Sequence, residues 1–226
     1  MPWNWKSEQG VRADPKVLLT ALAALGLVAC SGVLTSKEAP ARVYRLEPFP
    51  APALVAPTID ATLAVRVRVV PGLDSDRLLT LDPDGRVNHL GNARWPDYLP
   101  EFAASLLQRY VQAGGYFAEV LGDPARSTHD CLLDLLVQRF YTRLDQQQRP
   151  VSVELALTGA LQCGETRTVL GLEGRADVQA ASIAAVVAAH QRAFNAIGGQ
   201  LRLRFEEFDR LRQTQEAAMD ANPPDG

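Results

Sequence analysis

Apolar and polar residues alternate along several segments of the chain, a pattern that predicts β-strands with one buried face. In Leu63–Val70 three valines alternate with Arg66 and Arg68, so we expect the valines to face the core and the arginines to face solvent. Two longer segments, Cys131–Leu144 and Val151–Cys163, are joined by a polar sequence and therefore predict a long hairpin. Shorter strands are predicted at Tyr44–Leu46, Leu78–Leu81, Arg86–Leu90, Phe117–Leu121 and Arg167–Val178.

Two other segments repeat their apolar residues at intervals of three and four, which predicts helices with one apolar stripe. The first begins at Trp95-Pro96-Asp97 and ends at the glycine pair 114–115. The second begins at Ala180 and continues to Leu211, and we expect the glycine pair 198–199 to weaken or bend it, at about 1 kcal/mol per glycine. The stripes are Leu99, Phe102, Leu106 and Tyr110 in the first helix, and Ile183, Val187, His190, Phe194, Ile197, Leu201, Phe205, Phe208 and Leu211 in the second.

The N-terminal segment has a different pattern, because Val17–Val28 is apolar apart from Thr20. A membrane-spanning helix needs about 20 apolar residues, so this segment is too short to span a bilayer. Its length and the basic residues before it are typical of a secretory signal peptide. A buried helix is disfavoured, because the segment is apolar on every side rather than on one stripe. Acidic residues near the N-terminus leave open a later translation start, for instance at Val11.

The sequence Leu27-Val28-Ala29-Cys30 resembles the lipobox of bacterial lipoproteins, which predicts cleavage before Cys30 and covalent attachment of lipid to its thiol. The predicted organisation is therefore a signal peptide over residues 1–29, followed by a lipidated N-terminus, a tether and a first short strand over 30–62. One globular domain follows over 63–211, and the strand at 43–47 joins it. We expect a disordered tail over 212–226. The order of strands and helices predicts an α+β fold, with an antiparallel or mixed sheet and two main helices packed on one face.

Composition and motifs exclude several classes of function. The formal net charge is −3 and the signs are interspersed, so the chain lacks the basic footprint of a nucleic-acid-binding protein. The histidines His89, His129 and His190 are scattered, and the cysteines after Cys30 form no CxxC pair, so we expect no metal site. The sequence contains no GxSxG, Walker A, GxGxxG or HExxH motif. We therefore expect neither catalytic residues nor an enzymatic activity.

Cys131 and Cys163 lie at the far end of the predicted hairpin. If its loop is centred near Gln147, the two cysteines are directly opposite each other on neighbouring strands, and an oxidising compartment would allow a disulfide. Two alternatives remain open. Both cysteines can be small buried apolar residues, or a bulge near Arg139-Phe140 can shift the register by one residue and separate them.

Several short sequences in a fixed order carry a resemblance to a known family. They are the lipobox at Cys30, Tyr44-Arg45-Leu46, Val70-Pro71-Gly72-Leu73-Asp74 after a strand, Arg94-Trp95 before a helix, and Val137-Gln138-Arg139-Phe140 in a strand. Together they resemble the ABC-type transport auxiliary lipoproteins over roughly residues 30–205. The resemblance implies a non-enzymatic accessory subunit on the periplasmic face of the outer membrane. It also implies MCE-domain (mammalian-cell-entry) proteins and an ABC transporter as partners, transport of lipids or other apolar compounds between membranes, and no cofactor beyond the lipid on Cys30.

Two further functions are compatible with the sequence. The chain can be a lipoprotein that itself carries an apolar ligand, or a structural lipoprotein for assembly of an outer-membrane machine. A carrier needs a sizeable apolar cavity between sheet and helices, whereas a docking subunit combines a filled core with an exposed apolar patch. Ser31 follows Cys30 where an Asp would resemble an inner-membrane retention signal, which favours the outer membrane. A homo-oligomer is also compatible with the sequence.

Overall fold

The computed structural model describes residues 40–48, 57–122, 124–125 and 128–221. The predicted signal peptide and Cys30 lie outside these residues, so lipidation of Cys30 stays a prediction. The described part of the chain is a mixed sheet with two helices, which confirms the α+β fold class. The strands are β1 Arg42–Val43, β2 Ile59–Val69, β3 Arg77–Leu81, β4 Val87–Arg94, β5 Phe117–Leu121, β6 Cys131–Leu144, β7 Pro150–Cys163 and β8 Thr166–Asp177, and the helices are α1 Leu99–Gly114 and α2 Ile183–Ala221.

Strand β6 is the centre of the sheet. On one side it pairs antiparallel with β7, and β7 pairs antiparallel with β8. On the other side two strands share its length: β2 runs parallel to residues 131–137, and β3 runs parallel to residues 142–143. Strand β5 extends the sheet beyond β2, whereas β4 and β1 extend it beyond β3. The sheet therefore has three branches that meet on β6.

The hairpin of β6 and β7 contains two shifts in pairing register, each of one residue and in opposite directions. One lies between Val137 and Arg139, at the place where a bulge was considered from the sequence, and the other lies between Arg143 and Leu144. The first moves the buried positions of β6 from odd to even numbers, as at Phe140. Because the second offsets the first, Cys131 still pairs with Cys163 at the far end.

Both helices pack on one face of the sheet. Helix α1 ends at Gly114 and is capped by Gly115, whose φ of 66° is a left-handed conformation that favours glycine. Helix α2 runs along β8 and β7, and its Gln200 caps the edge of β8: the side-chain amide accepts from the Glu173 N–H at 3.1 Å and donates to the Glu173 carbonyl at 2.6 Å.

Helix α2 continues through the glycine pair 198–199, and the weakening expected from these glycines stays a prediction. Gly198 lies where the two helices meet. A Cβ atom on Gly198 would lie 2.8 Å from Cε2 of Tyr110. The buried Tyr110 hydroxyl donates to the Gly198 carbonyl at 2.5 Å, and burial raises its pKa to about 12. The lack of a side chain at this position therefore allows close contact between α1 and α2.

Two boundaries differ from the prediction. The expected disorder from residue 212 is wrong up to Ala221, because α2 continues to that residue. Thr166 of β8 donates to Gln215, which joins this turn of α2 to the sheet, and Gln213 donates to Asp209 one turn earlier within the helix. At the other end, β1 is shorter and earlier than the predicted strand 43–47, although Leu46 is fully buried in the core.

Candidate functional site

The space between sheet and helices is filled. Side chains from both helices, including Leu106 and Phe194, meet Leu157 of β7 and leave a void of about 10 Å³, lined by apolar residues. A void of this size holds at most a single water molecule. This part of the chain therefore has the filled core expected of a docking subunit, and it offers no room there for a lipid-sized ligand.

The buried His190 belongs to this core rather than to a reactive site. Its ring lies 5.2 Å from the ring of Trp95 and 5.4 Å from that of Phe140, and its Nδ1 is 3.0 Å from the carbonyl oxygen of Val186. Burial lowers its pKa from 6.5 to about 4, and the Val186 carbonyl opposes this shift. The imidazole is therefore neutral near pH 7.

We expect this histidine to make stability depend on pH. Above pH 6.5 the imidazole is neutral in both states, whereas between pH 6.5 and about 4 the unfolded chain binds a proton that the folded chain does not. As the pH is lowered through this range, His190 should therefore reduce the free energy of unfolding by about 1.4 kcal/mol per pH unit. Urea unfolding at several pH values measures the slope. His190→Phe should reduce it and His89→Gln, at an exposed histidine, should not; equal slopes in all three proteins would contradict this role of His190.

The two cysteines are joined in the structure. Cys131 and Cys163 form a disulfide with their Cα atoms 4.2 Å apart, and Cys131 is fully buried. The disulfide lies in the wall of a cleft of about 620 Å³ that also involves Ile59 at the start of β2 and Arg212 of α2. Carboxylates surround the cleft at positions 60, 130 and 165. The Asp130 carboxylate accepts hydrogen bonds from both the N–H and the hydroxyl of Thr62, and these bonds hold the Asp130 pKa below its usual range.

The opposite face of the sheet, away from the helices, combines ion pairs with apolar and small residues. We call it the outer face. In the rows where β2, β6, β7 and β8 are paired in register, it consists of Ala64, Arg66, Arg68, Leu132, Asp134, Leu136, Arg139, Tyr141, Arg143, Ser152, Glu154, Ala156, Thr158, Ala160, Gln162, Arg167, Val169, Gly171, Glu173, Arg175 and Asp177.

At two places on the outer face, one carboxylate forms ion pairs with two arginines. Asp134 lies 2.7 Å from the Arg66 guanidinium and 3.2 Å from that of Arg68. The hydrogen bond from Arg66 holds the Asp134 pKa below its usual range, so this carboxylate is ionised at neutral pH.

Whereas both arginine partners of Asp134 lie on β2, Glu154 of β7 pairs with one arginine from each of its two neighbouring strands. It lies 2.7 Å from Arg143 of β6 and 3.6 Å from Arg175 of β8. The neighbouring Tyr141 is partly buried, and this burial, with the negative charge of Glu154, raises its pKa. Arg139 and Glu173 form a third, one-to-one pair at 2.6 Å. Each shared carboxylate leaves one positive charge uncompensated.

Sequence reasoning found only part of this surface. Alternation in β2 correctly placed Arg66 and Arg68 away from the core, but their common partner Asp134 lies on another strand, 68 and 66 residues away respectively. The alternation of Leu133, Asp134 and Leu135 in β6 is the signal that Asp134 faces outward. Which strand lies beside β6 could not be read from that signal.

Metal ligands and membrane-spanning helices are the remaining features to consider in the described residues. In residues 40–48, 57–122, 124–125 and 128–221, no group of three or more His, Cys, Asp or Glu side chains is arranged to hold a metal ion. Within the same ranges, neither helix is long and apolar enough to cross a membrane.

Comparisons with known proteins identify the family. Residues 44–201 match the model of the ABC-type transport auxiliary lipoprotein component. The match spans more than half of the chain, which therefore belongs to this family of transport auxiliary lipoproteins. A search of curated proteins finds no significant match.

Two solved structures share the fold. Protein XCC0632 from Xanthomonas campestris, described as a DUF330 protein, is similar with a TM-score of 0.59 and 20% identity, covering 77% of this chain and 99% of its own. A crystal structure titled only as an uncharacterized protein has a TM-score of 0.55 and 15% identity, covering 74% of this chain and 99% of its own. At these identities the likeness supports the fold alone.

Proposed function

We propose that the chain is a non-enzymatic accessory subunit of an ABC-type system that moves lipids or other apolar compounds between two membranes. In this proposal it is anchored through lipid on Cys30 to the periplasmic face of the outer membrane and docks on an MCE-domain protein of the system. Family membership supports the auxiliary role in transport. The MCE-domain partner and the outer-membrane position rest on the resemblance seen in the sequence.

The filled core is the observation that favours docking over carrying. A carrier would enclose its apolar ligand between sheet and helices, where the structure leaves about 10 Å³. The outer face, in contrast, presents Val169 at 71% exposure beside the ion pairs. A filled interior therefore fits a protein that acts through its surface better than one that carries a ligand between sheet and helices.

A lipid anchor fits this role physically. One acyl chain gives only marginal membrane binding, whereas two or more chains make binding stable. A lipoprotein that carries several chains on Cys30 would therefore hold the folded domain at the membrane surface. The residues between Cys30 and the first strand would serve as its tether.

Gene deletion with complementation tests the proposal. We expect cells that lack this chain to be as sensitive to membrane-active compounds as cells that lack the MCE-domain protein, because both losses interrupt one pathway. Wild-type protein should restore resistance. Cys30→Ser should fail to restore it and should leave the outer-membrane fraction, since the thiol that receives the lipid is absent.

Two outcomes contradict the proposal. Wild-type resistance in the strain without this chain, with strong sensitivity in the strain without the MCE-domain protein, would separate the two proteins. An unchanged mature N-terminus and unchanged flotation of Cys30→Ser with outer membranes would exclude the anchor. Immunoblots must show equal amounts of both forms of the protein, so that loss of the folded chain is not mistaken for loss of the anchor.

A further inference from the structure

The outer face has a charge opposite to that of the whole protein. In its paired rows six arginines accompany four acidic residues, whereas the complete chain has a net charge of −3. The surplus lies where Asp134 and Glu154 are each shared by two arginines. The arginines are Arg66, Arg68, Arg139, Arg143, Arg167 and Arg175, and the acidic residues are Asp134, Glu154, Glu173 and Asp177.

The positive charges of the outer face are arginine guanidinium groups, which favour a partner that presents carboxylates. Every basic residue after Lys37 is an arginine, so this positive surface contains no lysine. A guanidinium presents a planar fork of donors that matches a carboxylate, and it is less strongly hydrated than an ammonium group. Arg68, with a side chain 63% exposed, and Arg175, with one 68% exposed, keep donors free to reach a second carboxylate.

Between these charges the outer face carries small and apolar residues. Val169 is 71% exposed, and it pairs with Ala160 and lies two residues from Gly171. Leu136 is half-buried on the central strand. An exposed apolar residue beside arginines is compatible with a protein–protein interface, in which arginine is enriched.

We propose that the outer face binds a protein surface that presents carboxylates beside a small apolar patch, and that this surface belongs to the transport partner. This inference rests on the proposed accessory function and names the surface through which it acts. An anionic membrane fits less well, because three carboxylates lie among the arginines and would be pressed against lipid phosphates. Fixed arginine–carboxylate pairs instead select a partner by the positions of its charges.

Photo-crosslinking in cells tests the inference. Full-length protein carrying p-benzoylphenylalanine at position 169 should form a crosslink to the MCE-domain protein, identified by mass spectrometry. The same label at position 203 or 211 serves as the matched control, since Leu203 and Leu211 are exposed residues of α2, which packs on the opposite face. Arg68→Glu with Arg175→Glu should reduce the crosslink at 169 at least tenfold. Arg204→Glu with Arg210→Glu changes the net charge equally on α2 and should leave it unchanged.

Each outcome decides one question. A crosslink from 203 or 211, but not from 169, to the MCE-domain protein would overturn the docking face while the proposed function stands. No crosslink to the MCE-domain protein from any position, together with a normal phenotype of the deletion strain, would overturn both. A crosslink from 169 only to a second copy of this chain, or only to phospholipid, would also overturn the inference, as would an equal effect of the two charge reversals.

Discussion

Gly174→Ala should destabilise the folded chain by about 3 kcal/mol, because the added methyl group has no space on the core side of β8. A Cβ atom at Gly174 would overlap the carbonyl oxygen of Ala193 and lie 2.8 Å from its carbonyl carbon. These atoms belong to the backbone of α2, so no side-chain rotation can relieve the overlap. The helix must move away from the sheet, which loosens the contacts of Phe194 and its neighbours with the core.

Gly171→Ala is the matched control for this substitution. Gly171 lies three residues earlier on the same strand, and an added Cβ atom meets nothing within 4 Å. Its effect should stay within about 0.5 kcal/mol. Urea denaturation of both variants and the wild type gives the comparison, and thermal unfolding should show a loss of about 10 °C for Gly174→Ala alone. Equal stability of the two variants would mean that α2 is not seated on β8 as described.

Loss of the disulfide should lower the free energy of unfolding by about as much as Gly174→Ala. The bridge between Cys131 and Cys163 closes a loop with a sequence separation of 32. In the chain-entropy model such a loop contributes about 3 to 4 kcal/mol by restricting the unfolded state. We therefore expect reduction to lower the free energy of unfolding by this amount, and Cys131→Ala with Cys163→Ala to do the same.

The measurement uses residues 31–226, which lack Cys30. This protein is secreted into an oxidising compartment so that the disulfide can form. Intact mass should rise by two hydrogen atoms on reduction of the wild type and stay constant in the double variant. Urea unfolding with and without reductant should differ for the wild type only. A wild-type mass unaffected by reduction, in protein shown to be folded, would mean that the thiols are free in solution.

The strands were largely predictable because one face of the sheet is buried and the other is not. Alternation in β2, β6 and β7 follows directly from that difference, and it correctly separated the valines of β2 from Arg66 and Arg68. The end of α2 was not predictable in the same way. Residues 213–216 are polar, and the contact of Gln215 with Thr166 joins residues far apart in sequence.

The candidate docking face was only half visible in the sequence for the same reason. Local alternation shows that Asp134 and Glu154 face outward, but the arginines of Asp134 come from β2 and those of Glu154 from β6 and β8. The order of strands around β6 decides those neighbours, and that order is set by packing over the whole sheet. The pairing of Cys131 with Cys163 depended on two irregularities that cancel, and no local pattern marks both of them.

The contact of Gln200 with β8 has a consequence for self-association. Strand β8 pairs only with β7 among the described strands, so its other side is an edge that could act as a template for a foreign strand. The Gln200 amide binds both the N–H and the carbonyl of Glu173, as the backbone of an added strand would. A continuous ladder along this edge is thereby interrupted near the middle of β8. In the proposed anchored form the chain would be concentrated on a membrane surface, where this contact would hinder the addition of a strand from another copy.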